Sequence, residues 1–395
     1  MSTDKATTHD ATLCVHPPAA SMEGYASLAV PTYRASTIVY PDGEAFLRRA
    51  ERGADGYTYG LHGTPTTRTL EDQLTRLQGG ARTLIVPSGQ AAISLVMLAV
   101  LKPGDHVLIP DNAYPPVRAL CADYLEPRGI AHTVYDPMIG AGIDGLIEAR
   151  TRLLWIEAPG SGSMEVPDVP ALIAAARARG VLTGCDNTWA TALLFKPLAH
   201  GADFACEALT KYVGGHSDLL LGSITVADIA LHRQLRAMMG TLGIGVSPDD
   251  CALALRGIQT MAVRLAHVGQ VAEDFARRLV GRPGVAAVLH PALPSHPGHT
   301  AYNRDFRGGS GVFSLVLDAG CEARLGAALS GLKVFAIGAS WGGTHSLVAP
   351  QEIAAIRSAT AWPHAGPLLR LSIGLEDPAE LWDDLAALLE RLSAR

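Results

Sequence analysis

Residues 83–110 read TLIVPSGQAAISLVMLAVLKPGDHVLIP. TLIVP (83–87) is a short apolar run closed by proline, the pattern of a buried strand. Ser88-Gly89-Gln90 opens a run to Leu101 that is apolar nearly all round, as in a helix covered on every side. HVLIP (106–110) is the next strand. The alternation continues with a helix at Val117–Leu125, strands at Ile130–Tyr135 and Arg152–Glu157, a helix at Val169–Arg179, and VLTGC (181–185) directly after it. Strands interleaved with helices imply a mainly parallel sheet with both faces covered, an α/β fold.

Upstream the texture differs. Residues to about Tyr40 are rich in Pro, Ser and Thr and show little periodicity. Phe46–Arg52 reads as a short helix and residues 57–66, YTYGLHGTPT, as a loop. Leu70, Leu74 and Leu77 form one stripe of an amphipathic helix over Thr66–Leu77. Beyond Gly245, Asp249–Ala266 and Gln270–Leu279 read as helices, and Gly311–Leu317 and Leu368–Ile373 as strands. Asp377-Pro378 begins a last helix with an N-cap and a first-turn proline. The expected organisation is an N-terminal arm (1–60), an α/β domain (61–247) and a smaller α+β domain (248–395).

A chain of 395 residues can bury at least one large core. With 48% hydrophobic and 18% charged residues and a net charge of −6, it offers no electrostatic reason to bind nucleic acid or an anionic membrane. The start, MSTDKATTHDAT, lacks the basic-then-apolar design of a signal peptide. The longest apolar stretch, Ala91–Leu101, is too short to span a bilayer. Six cysteines lie far apart with no C-x-x-C pair, which argues against a zinc site or a disulfide framework and for a reduced, cytoplasmic setting.

The chemistry is expected around residues 205–222, ACEALTKYVGGHSDLLLG. Lys211 sits there between apolar runs, followed by Gly214 and Gly215. It is either a surface lysine at a strand end or an amine kept for chemistry, since a buried ammonium must be paired or lose its proton. Asp186 sits directly after the strand VLTGC, at the carboxyl end where open parallel sheets place their ligands. It either caps a turn or holds a ring nitrogen protonated, as pyridoxal phosphate requires, with a lysine to anchor the aldehyde. Ser88, Gly89 and Gln90 open a helix whose free N–H groups suit a phosphate. They match neither G-x-G-x-x-G nor the P-loop. Thr210 stands next to the lysine with a hydroxyl for the same phosphate. Tyr114, after HVLIP, is either core or a ring that stacks on a flat cofactor. Arg370 is the one charge in PLLRLSIG, either an edge arginine or a bidentate carboxylate ligand. Ser340-Trp341-Gly342-Gly343 has the build of a tight loop that presents N–H groups.

Together these residues resemble the Cys/Met-metabolism family of pyridoxal-phosphate enzymes, closest to its bacterial cystathionine β-lyase branch. The resemblance runs from about residue 30 to the C-terminus. It is strongest at Asp186-Asn187-Thr188-Trp189, Thr210-Lys211-Tyr212, Gly215-His216-Ser217-Asp218, Ser340-Trp341-Gly342-Gly343 and Arg370 through Asp377. It implies the aspartate-aminotransferase-like fold (fold type I) and pyridoxal 5'-phosphate as cofactor. It also implies carbon–sulfur β-elimination on cystathionine or other cysteine conjugates.

By the same resemblance Lys211 would carry the cofactor and move protons, and Asp186 would pair with its ring nitrogen. Tyr114 would stack on the ring. Ser88, Gly89, Gln90 and Thr210 would hold the phosphate, and Arg370 with Ser340 and Trp341 the substrate. Tyr59 would reach the phosphate of a neighbouring subunit, which implies shared sites in a homotetramer. Two positions depart from the family. Leu61 stands where an arginine usually binds the phosphate, with His62 and Arg68 nearby. Ala339 stands where relatives carry tyrosine or an acidic residue. The alternatives are γ-elimination or γ-replacement within the same family, and a non-catalytic cofactor-binding regulatory protein.

Overall fold

Residues 82–86 form the first strand of a seven-stranded sheet in a computed structural model that describes residues 9–18, 27–53 and 56–393. Parts of the expected N-terminal arm (1–8, 19–26, 54–55) lie outside the described residues, as do 394–395. The strands are β1 (Arg82–Val86), β2 (His106–Pro110), β3 (Ala131–Tyr135), β4 (Thr151–Glu157), β5 (Leu182–Asp186), β6 (Phe204–Glu207) and β7 (Gly222–Val226), ordered β1-β7-β6-β5-β4-β2-β3. The β2–β3, β2–β4, β4–β5 and β5–β6 pairs are parallel. Strand β7 departs from the expectation, running antiparallel to both β1 and β6. It returns through the irregular segment 208–221, which turns back beside β6 instead of crossing over the face of the sheet as a parallel return requires.

Alternation along each strand supplies both faces of the sheet. Val107, Ile109, Leu153 and Trp155 pack with Ile93, Val96 and Met97 of the Gly89–Val100 helix. Leu108, Leu154 and Ile156 point the other way, toward Leu172 and Ile173 of the Val169–Ala178 helix. That second core runs on without a break into Phe313, Leu315, Leu369 and Leu371 of the smaller sheet.

The smaller sheet holds β8 (Val285–Leu289), β9 (Val312–Leu317), β10 (Ala336–Ile337), β11 (Leu347–Gln351) and β12 (Leu368–Ser372), in the order β10-β11-β12-β9-β8. Strands β9 and β12 were expected. Strands β8, β10 and β11 were not, being short, interrupted or only half-buried. The two helices expected between Asp249 and Leu279 are one helix, Pro248–Leu279. Gly269 lies inside it because a Cβ there would come 2.2 Å from the Gly309 carbonyl oxygen. The expected Phe46–Arg52 helix divides into Gly43–Leu47 and a 3-10 turn at Arg49–Arg52. The Val117–Leu125 helix begins at Pro115 and continues as a π-helical turn over Leu120–Leu125.

One buried carboxylate ties the two sheets together. Asp111, just past β2, accepts the backbone N–H groups of Ser358, Ala359 and Thr360 at 2.9, 3.1 and 2.8 Å, and Arg118 at 2.8 Å. Burial alone would raise its pKa, but these donors outweigh it and hold the carboxyl below the usual aspartate value. Among the described residues no helix is long and apolar enough to cross a membrane.

Candidate active site

The carboxyl ends of β4 and β5, the segment after β6, the start of the Gly89–Val100 helix, and β9, β12 and residues 339–341 of the smaller domain surround a cavity of about 230 Å³. Ser88, Gly89, Gln90, Tyr114, Asp186, Thr210, Lys211, Trp341 and Arg370 all line it. Residues spread over nearly three hundred positions thus meet at one place, as the rule for ligands at strand carboxyl ends requires.

Lys211 is placed by ties on both sides. The phenol oxygen of Tyr212, the next residue, accepts the Gly311 N–H at 2.8 Å, and Trp189 Nε1 donates to the Val312 carbonyl at 3.0 Å. The first of these bonds fixes the lysine segment, and the second the segment after β5, against the start of β9. Lys211 Nζ donates to Ser340 Oγ at 2.7 Å and lies 5.2 Å from the centre of the Trp341 ring. Ser340 thus joins the site through the lysine. Burial, and secondarily the charge of Arg370, brings the lysine pKa down to about 8, against the opposing pull of Asp186.

Asp186 receives the Thr188 N–H at 3.0 Å and the Thr188 hydroxyl at 2.6 Å, both on Oδ1. Its Oδ2 takes no hydrogen bond from the described residues. Burial raises its pKa, and the Thr188 bonds and Lys211 act against that rise. Arg370, central in β12, donates to the carbonyls of Ala339 and Ser340. It has no carboxylate within ion-pair reach among the described residues. Burial lowers its pKa, yet a guanidinium stays charged throughout the working range.

The phosphate end of the cavity is the start of the Gly89–Val100 helix, capped by Ser88, whose Oγ accepts the Ala91 N–H at 3.1 Å. The first N–H groups of a helix have no acceptor within it, so those of Gly89 and Gln90 are free for an anion. Gly89 must be glycine, because a Cβ would meet that of Ala208 at 2.6 Å. The Thr210 hydroxyl, expected to donate to a phosphate, donates here to the Leu221 carbonyl at 3.1 Å and accepts the Leu221 N–H.

Tyr59 does not line this cavity. It is 48% exposed in the segment before it, and Leu61 packs toward Gly245. Neither His62 nor Arg68 lines the cavity, since Arg68 is held by Glu71 and the His62 carbonyl. Sequence reasoning missed Glu157, which lines the cavity from the end of β4, and the Gly160–Gly162 turn after it. The signal was available: Glu157 ends an apolar strand just as Asp186 does.

A lysine of lowered pKa, a carboxylate with one oxygen to spare, a helix start free for a phosphate and an unpaired arginine define a pyridoxal-phosphate enzyme site. The chain belongs to the family described as Cys/Met metabolism PLP-dependent enzyme, whose pattern matches residues 11–390. It shares 43% identity over 90% of its length with a putative cystathionine beta-lyase of Rhizobium johnstonii, covering 89% of that protein. It is 38% identical to an L-alanine/L-glutamate racemase of Wolbachia pipientis, over 93% of each chain. Its fold matches cystathionine gamma synthase from Xanthomonas oryzae with a TM-score of 0.89 and 33% identity, over 98% of both chains. The fold is therefore that of the fold type I enzymes, the cofactor is pyridoxal phosphate, and the activity is that of a carbon–sulfur lyase or synthase of cysteine and methionine metabolism. The regulatory, non-catalytic alternative falls.

Proposed function

We propose that the enzyme is a β-lyase that converts L-cystathionine and one water to homocysteine, pyruvate and ammonia, and accepts other cysteine conjugates. Pyridoxal phosphate, when bound, withdraws electrons from the substrate Cα so that its proton and then the β-thiolate can leave. Asp186 Oδ2 would hold the ring nitrogen protonated, and the Gly89 and Gln90 N–H groups with Ser88 the phosphate, which Thr210 would join by turning its hydroxyl away from the Leu221 carbonyl. The Tyr114 ring would cover one face. Arg370 grips the substrate carboxylate, with Trp341 as the wall beside it. Lys211, neutral near its lowered pKa, takes the Cα proton and can return a proton to the departing sulfur.

The observation that carries β- over γ-elimination is the hold on Lys211. γ-Chemistry requires the same amine to remove a Cβ proton as well, which needs a longer reach. The Ser340 bond and the Trp341 ring restrict that sweep. The likeness to a γ-synthase structure, and the small side chain of Ala339 beside Arg370, keep γ-elimination or γ-replacement as the second reading.

Assaying products from L-cystathionine separates them: pyruvate is expected in excess, and dominant 2-oxobutyrate would overturn the choice. A parallel assay for D-alanine from L-alanine tests whether proton return to Cα competes when no leaving group is present. The arm before the first long helix exposes Leu28, Val39, Phe46, Leu47 and Tyr59. This supports a homotetramer in which Tyr59 reaches a neighbour's site, and a monomer by light scattering would refute it.

A further inference from the structure

Three carboxyl groups end neighbouring strands of the large sheet: Glu157 on β4, Asp186 on β5 and Glu207 on β6. Glu207 lies deeper and is engaged by Gln78 Nε2 at 2.9 Å. Glu157 and Asp186 are direct Cα partners across the β4–β5 pairing, and both line the cavity. Glu157 is 6% exposed and has no cation within ion-pair reach among the described residues. Its Oε2 accepts the backbone N–H of Tyr114 at 2.6 Å. The carboxyl therefore reaches from β4 to the loop after β2 and holds the residue whose ring walls the cavity.

Two carboxylates so placed do not both ionise at neutral pH. Asp186 has two donors from Thr188 and faces Lys211. Glu157 accepts hydrogen bonds from the Tyr114 N–H and from both the side chain and the backbone of Ser161, but no cation faces it as Lys211 faces Asp186, and burial followed by the Asp186 charge pushes its pKa up to about 8. The other titratable neighbours add no compensating charge. Burial pushes the Tyr135 phenol and the Cys185 thiol well above their ordinary values, so both are neutral. The cations Lys211 and Arg370 line the cavity without pairing with Glu157.

We propose that Glu157 is a positioning residue of this site: as a neutral acid beside the charged Asp186, it fixes the backbone at Tyr114 without placing a second negative charge under the cofactor. The inference rests on Asp186 being the charged partner of the cofactor ring.

The test is a pH titration of the visible cofactor absorbance in the holoenzyme, with cofactor affinity measured alongside, for wild type, Glu157→Gln, Glu157→Ala and Asp186→Asn. Glutamine replaces one neutral hydrogen-bonding group by another, so the Glu157→Gln midpoint should match wild type. Glu157→Ala should weaken cofactor binding about tenfold through loss of the Tyr114 bond, and Glu157→Gln should recover most of that. A midpoint lowered by about one pH unit or more in Glu157→Gln would mean that a negative charge had been removed, and would overturn the proposal. So would a Glu157→Ala enzyme that binds cofactor like wild type. If the alanine variant does not fold, the glutamine titration alone decides. An unmoved midpoint in Asp186→Asn would fault the reading of Asp186 and is distinguishable from either Glu157 outcome.

Discussion

Lys211 Nζ donates to Ser340 Oγ at 2.7 Å, so an amine carried by the large sheet is held by a loop of the small one. The same loop supplies the Ala339 and Ser340 carbonyls that hold Arg370. Lys211 and Arg370 are therefore set relative to each other by two adjacent residues of that loop, Ala339 and Ser340. A disturbance of that loop should reach both binding and turnover.

Replacing Lys211 by alanine removes the one amine in the cavity. Cofactor should still bind, but without the visible absorbance of the lysine-linked form, and turnover of L-cystathionine should fall by about 10³-fold or more. Absorbance spectra and a pyruvate assay check both. Unchanged turnover would eliminate the proposed mechanism.

The lowered pKa of Lys211 has a sign that cofactor reconstitution can read. Only the neutral amine attacks an aldehyde, so the rate at which apoenzyme takes up cofactor should climb as pH rises through about 8. Arg370→Met removes the cationic part of that depression and should move the climb to higher pH. Stopped-flow absorbance across that range measures it, and a rate independent of pH would contradict the assignment.

Arg370→Lys keeps the charge but loses the planar fork. Loss of one charge-assisted bond to the substrate carboxylate costs about 1.5–3 kcal/mol, which appears as a ten- to hundredfold rise in KM with kcat little changed. Steady-state kinetics on L-cystathionine decide it. An equal loss in kcat alone would place the arginine elsewhere in the mechanism.

Gly342 has φ +83°, and a Cβ there would lie 3.1 Å from the Tyr212 nitrogen and 3.2 Å from Lys211 Cβ. Gly342→Ala therefore adds left-handed strain of about 1 kcal/mol and pushes the loop off the lysine. Both kcat and KM should worsen while the melting temperature falls only slightly.

Asp111→Ala removes the acceptor of three backbone N–H groups and the carboxylate partner of Arg118, at a cost of about 3 kcal/mol in urea unfolding. The wild-type carboxyl is held below its ordinary value, so its contribution is complete above about pH 4 and fades as pH falls through the folded-state value. The difference between the two proteins in urea melts should thus be full at neutral pH and shrink at acid pH, and a difference independent of pH would refute the linkage.

Much of this site was legible because its chemistry is local to strand ends. Asp186, Ser88-Gly89-Gln90 and Tyr114 each follow a short apolar run, and Lys211 and Arg370 are lone charges in apolar surroundings. The same logic would have reached Glu157 after LLWI and Asp111 after HVLIP. Both were passed over because a carboxylate at a strand end reads equally well as a turn former. The antiparallel course of β7 was not legible, since a strand's direction depends on the path of residues 208–221 and not on its own alternation. Strands β10 and β11 were hidden because half-buried edge strands carry little periodicity.

Periodicity and side-chain type alone settled the α/β class and the order of most elements and singled out Lys211 as a candidate amine, because burial imposes a two- or 3.6-residue rhythm against which a lone charge stands out. Which carboxylate keeps its proton, which loop grips the lysine and which buried acid joins the two sheets were decided only by folding. Those outcomes depend on distances between groups remote in sequence and on how much water their packing excludes.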